Sequence, residues 1–147
     1  MKIVKGKTKI GIIGLGYIGL PLSIEFQKHF KVVGYDLNKD RIRDLKKNLD
    51  FTKEVTKKNL KFANNIEFSN SERSLKDCNI FIICVPTPIN KKNQPDLSNL
   101  KKACITVSKN LKKNDTVIFE STVYPGVTDD FCTPIIEKLS KLKFNVD

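Results

Sequence analysis

Short apolar runs alternate with amphipathic segments along the 147-residue chain. The run at 79–85 is continuously apolar and rich in β-branched residues, which is typical of a strand buried on both faces. The predicted strands are residues 10–13, 31–35, 66–68, 79–85 and 116–119. Pro86 and Pro88 end the fourth strand, because proline has no N–H to donate to a neighbouring strand. A polar loop is predicted from there to Pro95.

The amphipathic segments between these runs predict helices. Apolar residues recur at every fourth position within 17–30, and Pro21 lies in the first turn, where a missing N–H is tolerated. Asn38, Ser71 and Asp96 each precede such a segment and are predicted to be helix caps. Further helical segments are predicted at 126–139 and, as one or two turns, within 51–62. This alternation predicts an α/β fold, a doubly wound and mainly parallel sheet with helices on both faces.

The net charge of +11 raises the question of a nucleic-acid or membrane partner. The positive residues are almost all lysines, which are scattered over every segment, and the arginines are only Arg41, Arg43 and Arg73. Nucleic-acid readers use more arginine and interleave aromatic residues for stacking. We therefore interpret the lysines as solvated faces and expect neither partner. A basic binding module remains the alternative from another functional class.

The four cysteines, Cys78, Cys84, Cys104 and Cys132, form no C-x-x-C pair, and His29 is the single histidine, so we expect no metal site. Each cysteine lies within or beside an apolar stretch, which predicts packing residues with reduced thiols in a cytoplasmic protein. No signal-peptide pattern and no apolar run of about 20 residues is found. The length predicts a single domain over residues 1–147.

Three glycines, Gly14, Gly16 and Gly19, follow the first strand and begin the first helix in a G-x-G-x-x-G pattern. Gly14 permits a tight turn, Gly16 leaves room for a pyrophosphate, and Gly19 allows close packing of helix on strand. Asp36 ends the second strand, where its carboxylate would accept hydrogen bonds from ribose hydroxyls and repel a 2′-phosphate. The pattern predicts a Rossmann-type domain that prefers NAD to NADP. A glycine-rich turn with an unrelated aspartate is the alternative.

Two threonines follow the fourth and fifth strands, Thr87 in V-P-T-P and Thr122 in E-S-T-V. Ligands of open α/β sheets bind beyond the carboxyl ends of the strands, near the point where strand order reverses. Both hydroxyls are therefore candidates for the nicotinamide side of a dinucleotide. Ordinary turn residues explain them equally well at this point.

Four motifs in fixed order resemble the cofactor domain of the UDP-glucose/GDP-mannose dehydrogenase family: G-L-G-Y-I-G-L-P-L, D-L-N-K-D-R-I, V-P-T-P and E-S-T-V-Y-P-G. The segments 20–22, 52–56 and 86–90 with 94–96 are more similar to the UDP-N-acetylhexosamine branch. The resemblance implies that Gly14, Gly16, Tyr17, Ile18 and Gly19 line the pyrophosphate, that Asp36 and Arg41 lie at the adenosine ribose, and that Thr87 and Thr122 lie near the nicotinamide. Without the resemblance, Arg41 is interpreted as a charge on a helix surface.

The resemblance also implies a reaction. A complete enzyme would oxidise the C6 alcohol of UDP-N-acetylglucosamine or UDP-N-acetylgalactosamine to a uronic acid for capsule or O-antigen polysaccharide, using two NAD and a cysteine thiohemiacetal. The cysteine and lysine of that chemistry are expected beyond Asp147, so no catalytic residue is expected here. The chain is thus predicted to be a truncated NAD-binding domain, inactive alone, without the central helix and UDP-sugar domain of a homodimeric enzyme.

A second hypothesis stays within the dehydrogenases. The cofactor domain of another two-domain NAD-dependent dehydrogenase, acting on hydroxy acids, would share the glycine-rich loop. It would not be expected to carry V-P-T-P and E-S-T-V-Y-P-G together, and we rank it second for that reason.

Overall fold

The computed structural model describes residues 6–89 and 93–147; residues 90–92 of the predicted polar loop lie outside this part. The strands are β1 (Lys9–Ile13), β2 (Lys31–Tyr35), β3 (Ile66–Ser69), β4 (Ile80–Ile83) and β5 (Thr116–Phe119). The α-helices are α1 (Gly19–Phe26), α2 (Lys39–Lys46), α3 (Lys57–Lys61), α4 (Ser98–Ser108) and α5 (Thr133–Ser140). A 3-10 helix (Glu72–Leu75) precedes β4, and a π-helix (Val127–Cys132) leads into α5.

The five strands form one sheet in the order β3-β2-β1-β4-β5, and every pairing is parallel. Ile13 of β1 lies opposite Tyr35 of β2 and Ile83 of β4, so these three strands end at the same level. Strand order reverses between β1 and β4, which opens a crevice at their carboxyl ends. The predicted Rossmann-type parallel sheet is confirmed.

Helices cover both faces of the sheet, as predicted. Side chains of a strand alternate between faces. Accordingly, Ile80 and Ile82 of β4 pack in a core with α1, α2 and α3, whereas Phe81 and Ile83 pack in a core with α4 and α5. The sequence-based expectation that β4 is buried on both faces is therefore correct.

Asn38 caps α2 as predicted, because its side-chain oxygen accepts hydrogen bonds from the N–H groups of Asp40 and Arg41 at 2.9 and 3.1 Å. The first helix is shorter than predicted. It ends at Phe26, and the N–H groups of His29 and Phe30 then both donate to the Phe26 carbonyl in a turn.

The other two predicted caps are confirmed only in part, since Ser71 does precede a helix and the Asp96 carboxylate does bind the first N–H of α4. The Ser71 side chain makes no capping hydrogen bond to the 3-10 helix that follows it. Leu97, not Asp96, is the residue that precedes α4, and the Asp96 carboxylate instead accepts the Ser98 N–H at 2.9 Å. A short acceptor near a helix start can serve the first turn from more than one position, so the pattern locates the turn better than the cap.

All four cysteines are free and buried, which confirms their interpretation as packing residues. Burial raises the pKa of Cys78 and Cys84 to about 12, and it also raises the pKa of Cys104 and Cys132. Only the thiolate is a good nucleophile.

We therefore expect the native protein to resist alkylation by iodoacetamide at pH 8. At this pH, a thiol with a pKa of about 12 is ionised in only about one molecule in ten thousand. The measurement is intact-mass spectrometry over an hour, with the protein in guanidinium chloride as the control that takes up four adducts. Rapid labelling of one native thiol would contradict the buried placement.

Within residues 6–89 and 93–147, no helix combines the length and apolar character needed to cross a lipid bilayer. The same residues hold no cluster of histidine, cysteine, aspartate and glutamate arranged around a metal ion.

Candidate functional site

The loop between β1 and α1 needs glycine at two of its positions. Gly14 has φ of +95°, and a Cβ atom there would lie 2.9 Å from the Cys84 carbonyl oxygen. A Cβ atom on Gly19 would collide with the Gly14 carbonyl oxygen. The predicted roles in the tight turn and in close packing are thus visible in the backbone.

Gly16 is a glycine for a different reason. An ideal Cβ atom at this position meets no heavy atom within 4 Å, so packing inside the protein does not forbid a side chain. The loop beside it is open, since Tyr17 and Ile18 are 69% and 48% exposed. Ile18 also contributes no side-chain cap to α1. Open space at a helix N-terminus suits the phosphate groups of a dinucleotide.

Asp36 lies against this loop. Its Oδ2 accepts the Leu15 N–H at 2.8 Å, and its Oδ1 accepts the Asn38 N–H at 2.9 Å. Each carboxylate oxygen has two lone pairs, so the group can also accept hydrogen bonds from a ligand hydroxyl. Asp36 is thus held beside the open glycine, as the sequence predicts.

A cavity of about 310 Å³ lies at the carboxyl ends of β1, β2 and β4. Three predicted site residues line it, namely Gly14, Gly16 and Asp36. Its further walls come from residues that the sequence analysis missed: Leu37, Asn38, Val85, Pro86, Asn99, Ala103 and Thr106 among them. The last three recur at spacings of four and three along α4, so they share one face of that helix. This spacing was the available signal for the missed wall.

Polar contacts hold one wall of the cavity in place. The Thr106 hydroxyl donates to Glu72 at 3.1 Å, and the Lys109 ammonium forms an ion pair with the same carboxylate at 2.9 Å. The contact with Lys109 lowers the pKa of Glu72. Burial raises the pKa of Tyr35, so the phenol beside Thr106 stays neutral at physiological pH. The wall therefore presents apolar surface and uncharged oxygens.

Arg41 is buried, with only 3% of the residue exposed. Its interpretation as a charge on the helix surface is therefore wrong. Its Nε donates to the Leu15 carbonyl at 2.9 Å, and its Nη1 donates to Asp50 at 2.7 Å. The contact with an adenosine ribose stays a prediction. In the structure, Arg41 connects α2 to the glycine-rich loop by its hydrogen bond to the Leu15 carbonyl.

The two predicted threonines meet. The Thr87 hydroxyl donates to the Thr122 carbonyl, which joins the loops that leave β4 and β5. A second contact supports the same junction, because the Ser121 hydroxyl donates to the Val85 carbonyl at 2.7 Å. The two loops therefore form one rim of the crevice, on the side away from Asp36 in the strand order.

A larger groove of about 850 Å³ lies beside β5, α5 and the residues that follow α5. None of the predicted site residues lines it. Size alone would favour this groove, but Gly14 and Gly16 of the glycine-rich loop and Asp36 all line the smaller cavity. We therefore assign the ligand site to the smaller cavity.

Residues 8–147 match the profile of the UDP-glucose/GDP-mannose dehydrogenase family, NAD binding domain. The chain belongs to this family. Its cofactor is NAD, as the glycine-rich loop and Asp36 predict.

Relatives support the predicted closeness to the UDP-N-acetylhexosamine branch. The chain is 50% identical over 139 residues to UDP-N-acetyl-D-glucosamine 6-dehydrogenase of Pseudomonas aeruginosa, covering 95% of this chain and 33% of that protein. It is 49% identical over 141 residues to the Salmonella typhi protein of the same name, covering 96% of this chain and 33% of the relative. The chain thus spans about a third of the length of these relatives.

The fold agrees with a solved structure from the same group. UDP-D-ManNAc dehydrogenase of Pyrococcus horikoshii superposes with a TM-score of 0.89 at 35% identity, covering 95% of this chain and 34% of the other. The NAD binding domain is thus confirmed by both sequence and fold.

Proposed function

We propose that the complete protein oxidises the C6 hydroxyl of a UDP-N-acetylhexosamine to a carboxylate, and that this domain holds the NAD for both oxidation steps. The observation that supports NAD binding by this domain is the open space at Gly16, beside Asp36 in the crevice of the sheet. The sugar class is supported by the two relatives named as UDP-N-acetyl-D-glucosamine 6-dehydrogenases. NAD accepts one hydride in each of the two steps.

The glycine-rich loop is assigned to the pyrophosphate. In the proposal, Gly14 and Gly19 shape the turn, and Gly16 leaves space for the phosphate oxygens. Tyr17 and Ile18 flank this space, which their exposure supports. The N–H groups at the start of α1 add a partial positive charge that stabilises an anion.

The remaining assignments follow the order of the strands. Asp36 accepts hydrogen bonds from the adenosine ribose, and Arg41 belongs to the same end of the site. Thr87 and Thr122 lie near the nicotinamide half, at the rim where their loops join. None of these residues is assigned a catalytic role, so the proposal places the chemistry on residues outside this chain.

The wider proposal concerns the whole protein: a homodimer that acts in the cytoplasm without a nucleic-acid or membrane partner and supplies uronic acids for capsule or O-antigen polysaccharide. Free, buried thiols fit a reducing compartment.

The decisive experiment uses the protein from the complete gene. We expect two NADH per sugar with UDP-N-acetylglucosamine or UDP-N-acetylgalactosamine, and much slower reduction of NAD with UDP-glucose. Activity with a simple hydroxy acid such as lactate, and none with the three UDP-sugars, would replace this proposal by the second hypothesis.

A further inference from the structure

A buried carboxylate organises the segment that follows α2. The Asp50 side chain is 1% exposed and accepts four hydrogen bonds. Three come from its own segment: the Thr52 N–H at 3.0 Å, the Thr52 hydroxyl at 2.7 Å and the Val55 N–H at 3.0 Å. The fourth comes from Arg41 Nη1 at 2.7 Å. Burial alone would raise the pKa of Asp50, but the hydrogen bonds outweigh it and hold the pKa below its ordinary value. Asp50 is therefore ionised at physiological pH.

The guanidinium that faces Asp50 is held on several sides. Arg41 Nε donates to the Leu15 carbonyl, and the centre of the Phe51 ring lies 4.3 Å from the guanidinium carbon. Arg41 Nη2 is buried and has no hydrogen-bond partner. Because the guanidinium is planar and rigid, the bond of Nη1 to Asp50 fixes the direction of Nε. Without Asp50, a buried charge would lose its counter-ion and its orientation.

The hydrogen bond from Arg41 orients the backbone of Leu15 in the glycine-rich loop. Its N–H is bound by Asp36 and its carbonyl by Arg41, so both peptide planes of the residue are fixed. The Leu15 carbonyl and the Gly16 N–H belong to the same planar peptide unit, and none of the described peptide bonds is cis. They therefore point in opposite directions. With the carbonyl directed at the buried guanidinium, the Gly16 N–H is directed away from it.

We propose that Asp50 is a positioning residue for NAD: acting through Arg41 and Leu15, it sets the direction in which the Gly16 N–H meets the pyrophosphate. The segment from Asp50 to Val55 thereby becomes part of the cofactor site without touching the cofactor. The inference rests on the placement of the pyrophosphate at Gly16.

The test compares Asp50→Asn with a matched variant, Thr52→Val. Both remove a polar contact from the same segment, but only Asp50→Asn removes the counter-ion of Arg41. By calorimetry on the 147-residue chain, we expect Asp50→Asn to raise the Kd for NAD about ten-fold and Thr52→Val to change it less than about two-fold. Both variants are expected to unfold at a lower temperature. Amide hydrogen exchange of Gly16, followed by NMR, should quicken in Asp50→Asn alone.

Arg41→Lys keeps the inference testable if Asp50→Asn does not fold. A lysine ammonium can pair with Asp50 but cannot reproduce the fork that also reaches Leu15, so NAD affinity should again fall about ten-fold. The Gly16 amide hydrogen should also exchange faster in this variant without NAD, which the loss of a ribose contact alone would not cause. Wild-type affinity in a folded Asp50→Asn or Arg41→Lys protein would overturn the proposal. So would an equal loss of affinity in Thr52→Val. Absence of NAD binding by the folded wild-type chain would instead overturn the cofactor placement itself.

Discussion

Replacing Gly16 with alanine leaves the chain folded and removes most of its affinity for NAD. The new Cβ atom meets no protein atom, and Gly16 is not among the residues with positive φ, so alanine fits the backbone. The stability should even rise by about 0.4–1 kcal/mol, because the unfolded chain loses freedom. The methyl group occupies space assigned to the pyrophosphate, so we expect the Kd for NAD to rise at least about 100-fold, or about 2.7 kcal/mol.

Gly19→Ala is the matched control, since it adds the same methyl group three residues further along the chain, but into occupied space. Its Cβ atom would collide with the Gly14 carbonyl oxygen. We expect a loss of about 1–3 kcal/mol of unfolding free energy from overpacking. Calorimetry with NAD and thermal unfolding by circular dichroism measure both effects. A Gly16→Ala protein that binds NAD as tightly as wild type would show that the pyrophosphate lies elsewhere.

Replacing Asp36 with asparagine reduces both the affinity for NAD and the preference over NADP. The amide keeps one acceptor oxygen, so it cannot accept both the Leu15 N–H and the Asn38 N–H as the carboxylate does. Removing the negative charge also removes the repulsion of a 2′-phosphate. We expect the Kd for NAD to rise about ten- to 100-fold and the ratio of NADP to NAD dissociation constants to fall at least about ten-fold.

Asp40→Asn provides the control for charge. Asp40 lies at the start of α2, and its side chain is 74% exposed and pairs with Arg43. The substitution changes the net charge equally, but no contact with the glycine-rich loop is lost. Cofactor preference should stay as in the wild type. An equal change in both variants would mean that the overall field of this basic chain, and not the carboxylate at β2, sets the preference.

The sequence was sufficient to predict the strands and the cofactor loop because both depend on local signals. The bounds of β2 and β5 agree with the predicted ones. Gly14 and Gly19 are needed because a strand, a tight turn and a helix that follow one another leave no space for a Cβ atom at these two positions. Such constraints act over a few residues, and a residue pattern records them directly.

The rest of the site depends on contacts between distant segments. Arg41 lies on a helix whose polar composition favours an exposed side chain, yet Asp50 binds it from the segment that follows that helix. Nothing in the spacing of the two residues distinguishes an internal pair from two surface charges. The α4 wall was missed because periodicity separates the inner from the outer face of a helix but does not show which inner residues, such as Ala103 and Thr106, line a cavity.

The order of the strands has a practical consequence for work with this chain. β5 is hydrogen-bonded to β4 along one side, and no strand of the described residues pairs with its other side. The unpaired N–H and C=O groups of such an edge strand can form hydrogen bonds with strands of other molecules. The neighbouring groove adds the apolar side chains of Phe119 and Ile136. We therefore expect self-association through this edge to increase with protein concentration, so that titrations with NAD are best made on dilute samples.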